Sequence, residues 1–118
     1  MTKVAKFDLA PKDILKRAMI KTSDVLRVKY YVYVLISLKD LKFYIGYTSD
    51  LKKRLTEHAN GFVKATHSRL PFKLIHYEYF IDNDDAKARE RFLKSGFGRS
   101  QLKESLKRTL NKLGYKNS

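Results

Sequence analysis

The chain has 118 residues, 43% of them hydrophobic, and its 26 Lys and Arg against 12 Asp and Glu leave a net charge of +14. That length holds one compact domain, the composition excludes a disordered tail, and the absence of cysteine excludes disulfides and thiolate metal sites. No apolar run approaches the roughly 20 residues of a membrane span and no apolar signal core opens the chain, so a soluble cytoplasmic protein is expected; the charge points to nucleic acid, with a basic ribosome-associated or merely soluble protein as the alternative.

Residues 1–28 stand apart as a basic N-terminal extension in which Pro11 could open a short helix running to about Ile20. The extension is read as loosely ordered, with a phosphate-touching arm as the other option. It precedes a domain over 29–113 and a C-terminal tail over 114–118. Tyr30 to Ile36 is aromatic and β-branched on both alternating faces, the pattern of a strand covered on both sides. A polar turn over Ser37–Lys42 leads into a second strand over Phe43–Tyr47, and the short connection predicts an antiparallel hairpin.

Thr48, Ser49 and Asp50 then offer N-caps to a helix carrying Leu51 and Leu55, which Asn60-Gly61 stops. A basic, polar loop over Phe62–Pro71 is followed by a third strand over Leu74–Ile81. Asp82, Asn83, Asp84 and Asp85 supply a turn and favourable charge for a helix over about Asp84–Ser95. Gly96 and Gly98 are expected to break it, and a last basic helix follows over about Arg99–Leu113. The order β-β-α-β-α-α predicts an α+β fold, helices packed on a small three-stranded antiparallel sheet.

Within this frame Tyr33 lies mid-strand, Tyr44 lies on the second strand, and Gly46 follows where a strand glycine is costly unless something approaches the backbone. Arg54 and His58, four apart, share one helix face. Taken singly, strand tyrosines are packing residues and an Arg/His pair is a solvated surface. Glu90 falls in the apolar stripe of Ala86 and Leu93, where a carboxylate needs a partner: Arg89 or Arg91 on a structural view, a metal ion on a functional one.

Tyr31-Val32-Tyr33, Tyr44-Ile45-Gly46, Arg54, His58 and a later helical Glu together resemble the GIY-YIG nuclease superfamily, in its small single-domain bacterial form related to the nuclease module of the excinuclease C subunit. The match is continuous from Tyr31 to Gly61 and weaker to about Leu106. Tyr31 replaces the first motif's glycine, and no equivalent of the late Asn of some members stands between Phe97 and Leu106. The resemblance implies Tyr33 as general base or activating residue, Tyr44 as a hydrogen-bonding member of the site, Arg54 as the clamp on the scissile phosphate and His58 as a proton relay. It also implies Glu90 as the ligand of Mg²⁺ or Mn²⁺, with no small-molecule cofactor. A phenol titrating near pH 10 is a poor base at neutral pH, so Tyr33 would need help.

The surplus of lysine and arginine extends this to phosphate contacts from Lys52, Lys53, Lys64, Arg69 and Lys73, with Lys103, Lys107 and Arg108 on the last helix. His67 and His76 are read as incidental and structural. The expectation is an endonuclease acting on DNA in repair or processing, against a non-catalytic nucleic-acid-binding module on the same fold. Oligomeric state is left open.

Overall fold

The computed structural model describes residues 29–115; the expected helix after Pro11 lies outside them. Strand β1, Tyr30–Ser37, is the middle of a three-stranded antiparallel sheet of order β2-β1-β3, with β2 over Phe43–Thr48 and β3 over Phe72–Phe80. Its central place follows from its sequence. Val32, Val34 and Ile36 on one face and Tyr33 and Leu35 on the other are all buried, which only a strand covered on both sides allows. In the hairpin turn Ser37 Oγ accepts from the amides of Lys39 and Asp40 (3.1 and 3.2 Å), and Leu41 takes a positive φ of 58°.

Helix α1, Leu51–Ala59, is capped by Asp50, whose carboxylate accepts from Lys53 N at 3.1 Å, and ends at Gly61 in the left-handed region (φ 75°). The following loop contains a single 3-10 turn over His67–Arg69, and its Val63 and Thr66 are buried. Helix α2, Asn83–Lys94, starts on Asp82, which accepts from Asp84 N and Asp85 N at 2.8 and 3.1 Å. Ala86 and Leu93 of α2 pack with Val32, Val34, Ile45 and Leu102 into the main core. Each of the larger side chains there contributes about 1.5–3 kcal/mol of burial.

Two expectations about the C-terminal third are corrected. Ser95, in extended conformation, ends α2, whereas Gly96 and Gly98 belong to the next helix, α3 over Gly96–Ser105, which Ser95 Oγ caps by accepting from Gly98 N at 3.1 Å. Gly98 is there because α3 crosses α2 closely: a Cβ would lie 3.0 Å from Leu93 Cα and run into the Phe92 carbonyl. The single last helix is two, α3 and α4 over Lys107–Lys112, divided at Leu106 (φ −107°, ψ 18°). Among the described residues no helix is long and apolar enough to cross a membrane.

The sheet therefore has two unlike faces. One carries the core under α2 and α3; the other carries Tyr33, Tyr44 and Gly46 and meets α1.

Candidate active site

Tyr33 occupies the middle of β1 and is fully buried. Gly46 stands opposite it on β2, and the phenol lies across that glycine. A Cβ built at Gly46 would come within 2.8 Å of Tyr33 Cε2 and collide with Cζ and the hydroxyl. The strand glycine is thus a steric requirement of the tyrosine.

The Tyr33 hydroxyl lies 2.8 Å from Nε2 of the buried His58, and His58 Nδ1 lies 2.8 Å from Thr66 Oγ1. Thr66 in turn donates to the Val63 carbonyl at 3.4 Å. With its proton so directed, Thr66 accepts from Nδ1–H, and Nε2 is left to accept the Tyr33 O–H. Tyr44 closes the group: its ring centroid is 5.1 Å from that of His58 and 6.2 Å from that of Tyr33. Arg54, one turn before His58 on α1, brings its guanidinium beside both phenols and pairs with Glu57 at 3.0 Å. It is 36% exposed, so one side of the guanidinium stays open to a ligand.

Burial pushes the Tyr33 phenol up to about 12, outweighing the opposing pull of the Arg54 guanidinium. Tyr33 is therefore protonated throughout the neutral range. Burial, reinforced by the positive charge of Arg54, holds His58 below its ordinary 6.5, so the imidazole is neutral at pH 7 and free to accept. As pH falls below 6.5 the unfolded chain takes up this proton first, so stability is lost toward the lower folded value, and the Tyr33–His58 hydrogen bond reverses. Any reaction that uses Nε2 as acceptor should accordingly show an acid limb centred below pH 6.5, with about tenfold loss per pH unit, that His58→Gln removes. A single-turnover profile whose acid limb is left unchanged by His58→Gln would deny His58 that part.

Glu90 lies in the stripe of Ala86 and Leu93 but is 21% exposed, and its partner is Lys94 Nζ at 3.0 Å, not Arg89 or Arg91. Arg89 instead pairs with Glu78 at 2.8 Å, and His76 with the same carboxylate at 2.9 Å. The charge of Glu90 is felt at Tyr47, whose phenol is raised first by burial and then by Tyr30 and the carboxylates of Glu90 and Asp84. Tyr47 also donates to Asn83 Oδ1 and lines a shallow pocket together with Thr48, Lys53, Arg54 and Glu57. Tyr47 therefore neighbours Arg54 across that pocket and feels Glu90 from α2.

Among the described residues no three His, Asp or Glu cluster to cage a cation. A single carboxylate held only by an exposed ammonium still suits Mg²⁺, which keeps several waters and takes one or two carboxylates together with phosphate oxygens.

The sequence-derived basic set divides. Lys52, Lys53 and Lys64 are exposed on and just after α1, and Lys53 shares a pocket with Arg54. Arg69 is tied to the hairpin turn by Asp40 at 2.9 Å and the Lys42 carbonyl at 3.1 Å. Lys73 pairs with Ile36 and so sits on the other face of the sheet from Tyr33. His67 is exposed in the 3-10 turn. Sequence reasoning missed Thr66, which no local pattern marks. It also missed Glu57, which the three-residue spacing from Arg54 could have flagged.

A family model described as the GIY-YIG catalytic domain matches residues 29–104. The UPF0213 protein of Streptococcus pyogenes serotype M5 is 45% identical over 74 residues, which are 62% of this chain and 79% of that protein. The UPF0213 protein of Clostridium perfringens is 42% identical over 65 residues, 54% of this chain and 69% of its own. The solution NMR structure of a UPF0213 protein from Bacillus halodurans is 36% identical with a TM-score of 0.41, covering 63% of this chain and 81% of that one.

Proposed function

The chain belongs to the GIY-YIG catalytic-domain family, a nuclease superfamily, and from that premise we propose that it is a metal-dependent endonuclease hydrolysing phosphodiester bonds of DNA. The observation that carries this reading is the buried Tyr33–His58 hydrogen bond of 2.8 Å with the Arg54 guanidinium beside it.

Phosphodiester hydrolysis needs a proton taken from water and charge neutralised on the phosphate. Tyr33, raised to about 12, cannot take that proton as a free phenolate at neutral pH. Its own proton, however, has a ready acceptor in His58 Nε2. Tyr33 is buried in the unbound chain, so substrate binding must first bring a water to its oxygen; that water can then pass a proton to Tyr33 while Tyr33 passes its own to His58, so that no bare phenolate accumulates. The Thr66 contact holds the imidazole in the tautomer this requires. Arg54, about a third open to solvent and permanently charged, is the clamp for the phosphate oxygens. Tyr44, in contact with both rings, keeps them in place.

Glu90 would hold the divalent cation, Mg²⁺ or Mn²⁺, which when bound supplies Lewis-acid polarisation of the phosphodiester. Exposed lysines of α1 would add sequence-independent phosphate affinity that weakens with salt.

Nicking of supercoiled plasmid in Mg²⁺, stopped by EDTA, tests the reading. Glu90→Gln keeps the side chain's shape and gives up only an exposed ion pair, so the melting temperature should hold while nicking falls at least about a hundredfold. Normal nicking by Glu90→Gln would remove Glu90 from the metal site. Tight DNA binding by the wild-type chain, with no cutting of plasmid, branched or flapped DNA in either metal, would instead favour a non-catalytic binding module.

A further inference from the structure

Among the described residues, α1 lies over the β1–β2 half of the sheet face that carries Tyr33, where His58 meets Tyr33 and Tyr44. Across the other half, β3 places Tyr77 opposite Tyr33 and Tyr79 opposite Tyr31, and cross-strand partners share a face. Tyr33 is sealed, yet Tyr77 is 52% and Tyr79 36% exposed. The ring of Tyr31 joins them, its centroid 5.9 Å from Tyr77 and 5.8 Å from Tyr79. Tyr31 also walls a cleft of about 490 Å³ with Lys29, Lys52, Leu51 and Leu55, whose rim includes the α1 cap Asp50. One face thus presents, in sequence, a basic-rimmed cleft, three clustered tyrosine rings, and the Tyr33–His58 pair one strand spacing away.

Tyr77 meets Tyr31 on one side, yet half of its surface is left to solvent. An exposed apolar cluster of this kind marks a contact surface. Its occupant follows from charge and ring chemistry together. A chain of net charge +14 with Lys29 and Lys52 at the cleft selects a polyanion, and open tyrosine rings in a basic setting bind the flat faces of nucleobases. Bases in a duplex have those faces buried in the stack, so only unpaired bases can use the platform.

We propose that Tyr31, Tyr77 and Tyr79 form a stacking platform for unpaired DNA bases flanking the phosphodiester held at Arg54. The substrate is on this account single-stranded, or splayed open where it is cut. The inference rests on the nuclease reading for its placement of the phosphate, but base stacking itself needs no cleavage.

The test is therefore binding in EDTA. The probes are a fluorescein-labelled oligothymidylate of about 12 nucleotides, an oligouridylate of about the same length and a blunt duplex of matching length. Tyr77→Ala should weaken oligothymidylate binding about 5- to 20-fold and leave the duplex within about twofold, while Tyr77→Phe behaves as wild type. The chain has no tryptophan, so Tyr77→Trp installs a sole indole emitter, whose fluorescence oligothymidylate should quench. An unquenched indole, or equal weakening of single strand and duplex, overturns the platform. An oligouridylate that binds more tightly than oligothymidylate, and alone responds to Tyr77→Ala, overturns its assignment to DNA. Wild-type chain that binds oligothymidylate through Tyr77 yet never cuts would sink the nuclease reading and leave the platform standing.

Discussion

Arg54→Ala should reduce DNA cleavage by about 10²–10³-fold, the usual cost of removing one preorganised donor from a developing anion. Thermal unfolding should move by no more than a few degrees. The side chain is 36% exposed, and the ion pair it gives up with Glu57 is of the surface kind worth about 0–1 kcal/mol. A second signature separates loss of a clamp from general damage. Arg54 helps to hold His58 below 6.5, so its removal lets the imidazole titrate nearer that value, and the acid limb of the residual activity should move up in pH. Arg54→Lys keeps the charge but lacks the planar fork, and is expected to recover only part of the rate. An Arg54→Ala protein that cuts at the wild-type rate would sink the assignment of the phosphate site.

Gly46→Ala should both unfold more easily and cut poorly. The added methyl would occupy the space of the Tyr33 phenol, so either the strands part or the phenol leaves His58. Overpacking of this kind costs about 1–3 kcal/mol, or roughly 4–8 °C of melting temperature per kcal/mol in a domain of this size. Tyr33→Phe in the same background removes one of the three atoms that collide with the added methyl, the hydroxyl oxygen, and should restore part of the stability and none of the cleavage. If Gly46→Ala melts and cuts like the wild-type chain, the close approach of Tyr33 is not a constraint on the fold.

Much of this architecture was legible in the residues. A strand apolar on both faces had to be covered on both sides, and β1 is, in the middle of the sheet. Thr48, Ser49 and Asp50 offered caps for one helix, Asp82–Asp85 a turn and charge for the next, and Asn60-Gly61 a stop, because these are interactions between neighbours in the chain; Asp50 and Asp82 are the residues that cap. The errors lie where the cause is distant. Gly98 breaks nothing, since it is needed for the crossing of α3 over the Phe92 carbonyl, and no local rule can anticipate that crossing. Nothing in the sequence at Leu106 explains why the last helix divides there.

The same division runs through the candidate site. Spacing put Arg54 and His58 on one helix face and flagged Gly46, and the fold brings Tyr33, Tyr44, Arg54 and His58 into one cluster. Thr66, which sets the orientation of the imidazole, and Lys94, which pairs with Glu90, became visible only in three dimensions. The exposed tyrosines of β3 are equally a matter of cover, and cover is decided by where α1 ends.

The full burial of Tyr33 on the middle strand constrains how such a protein can diverge. Position 33 is shared property: one ring fills the centre of the sheet and carries the hydroxyl to which the proposed reaction assigns the proton transfer. Substitutions that would retune the chemistry there are paid in cohesion of the domain, whereas the half-exposed β3 edge can change freely. Variation in what such chains act upon is thus channelled toward the open half of the face, while the reacting half is held still by the need to fold.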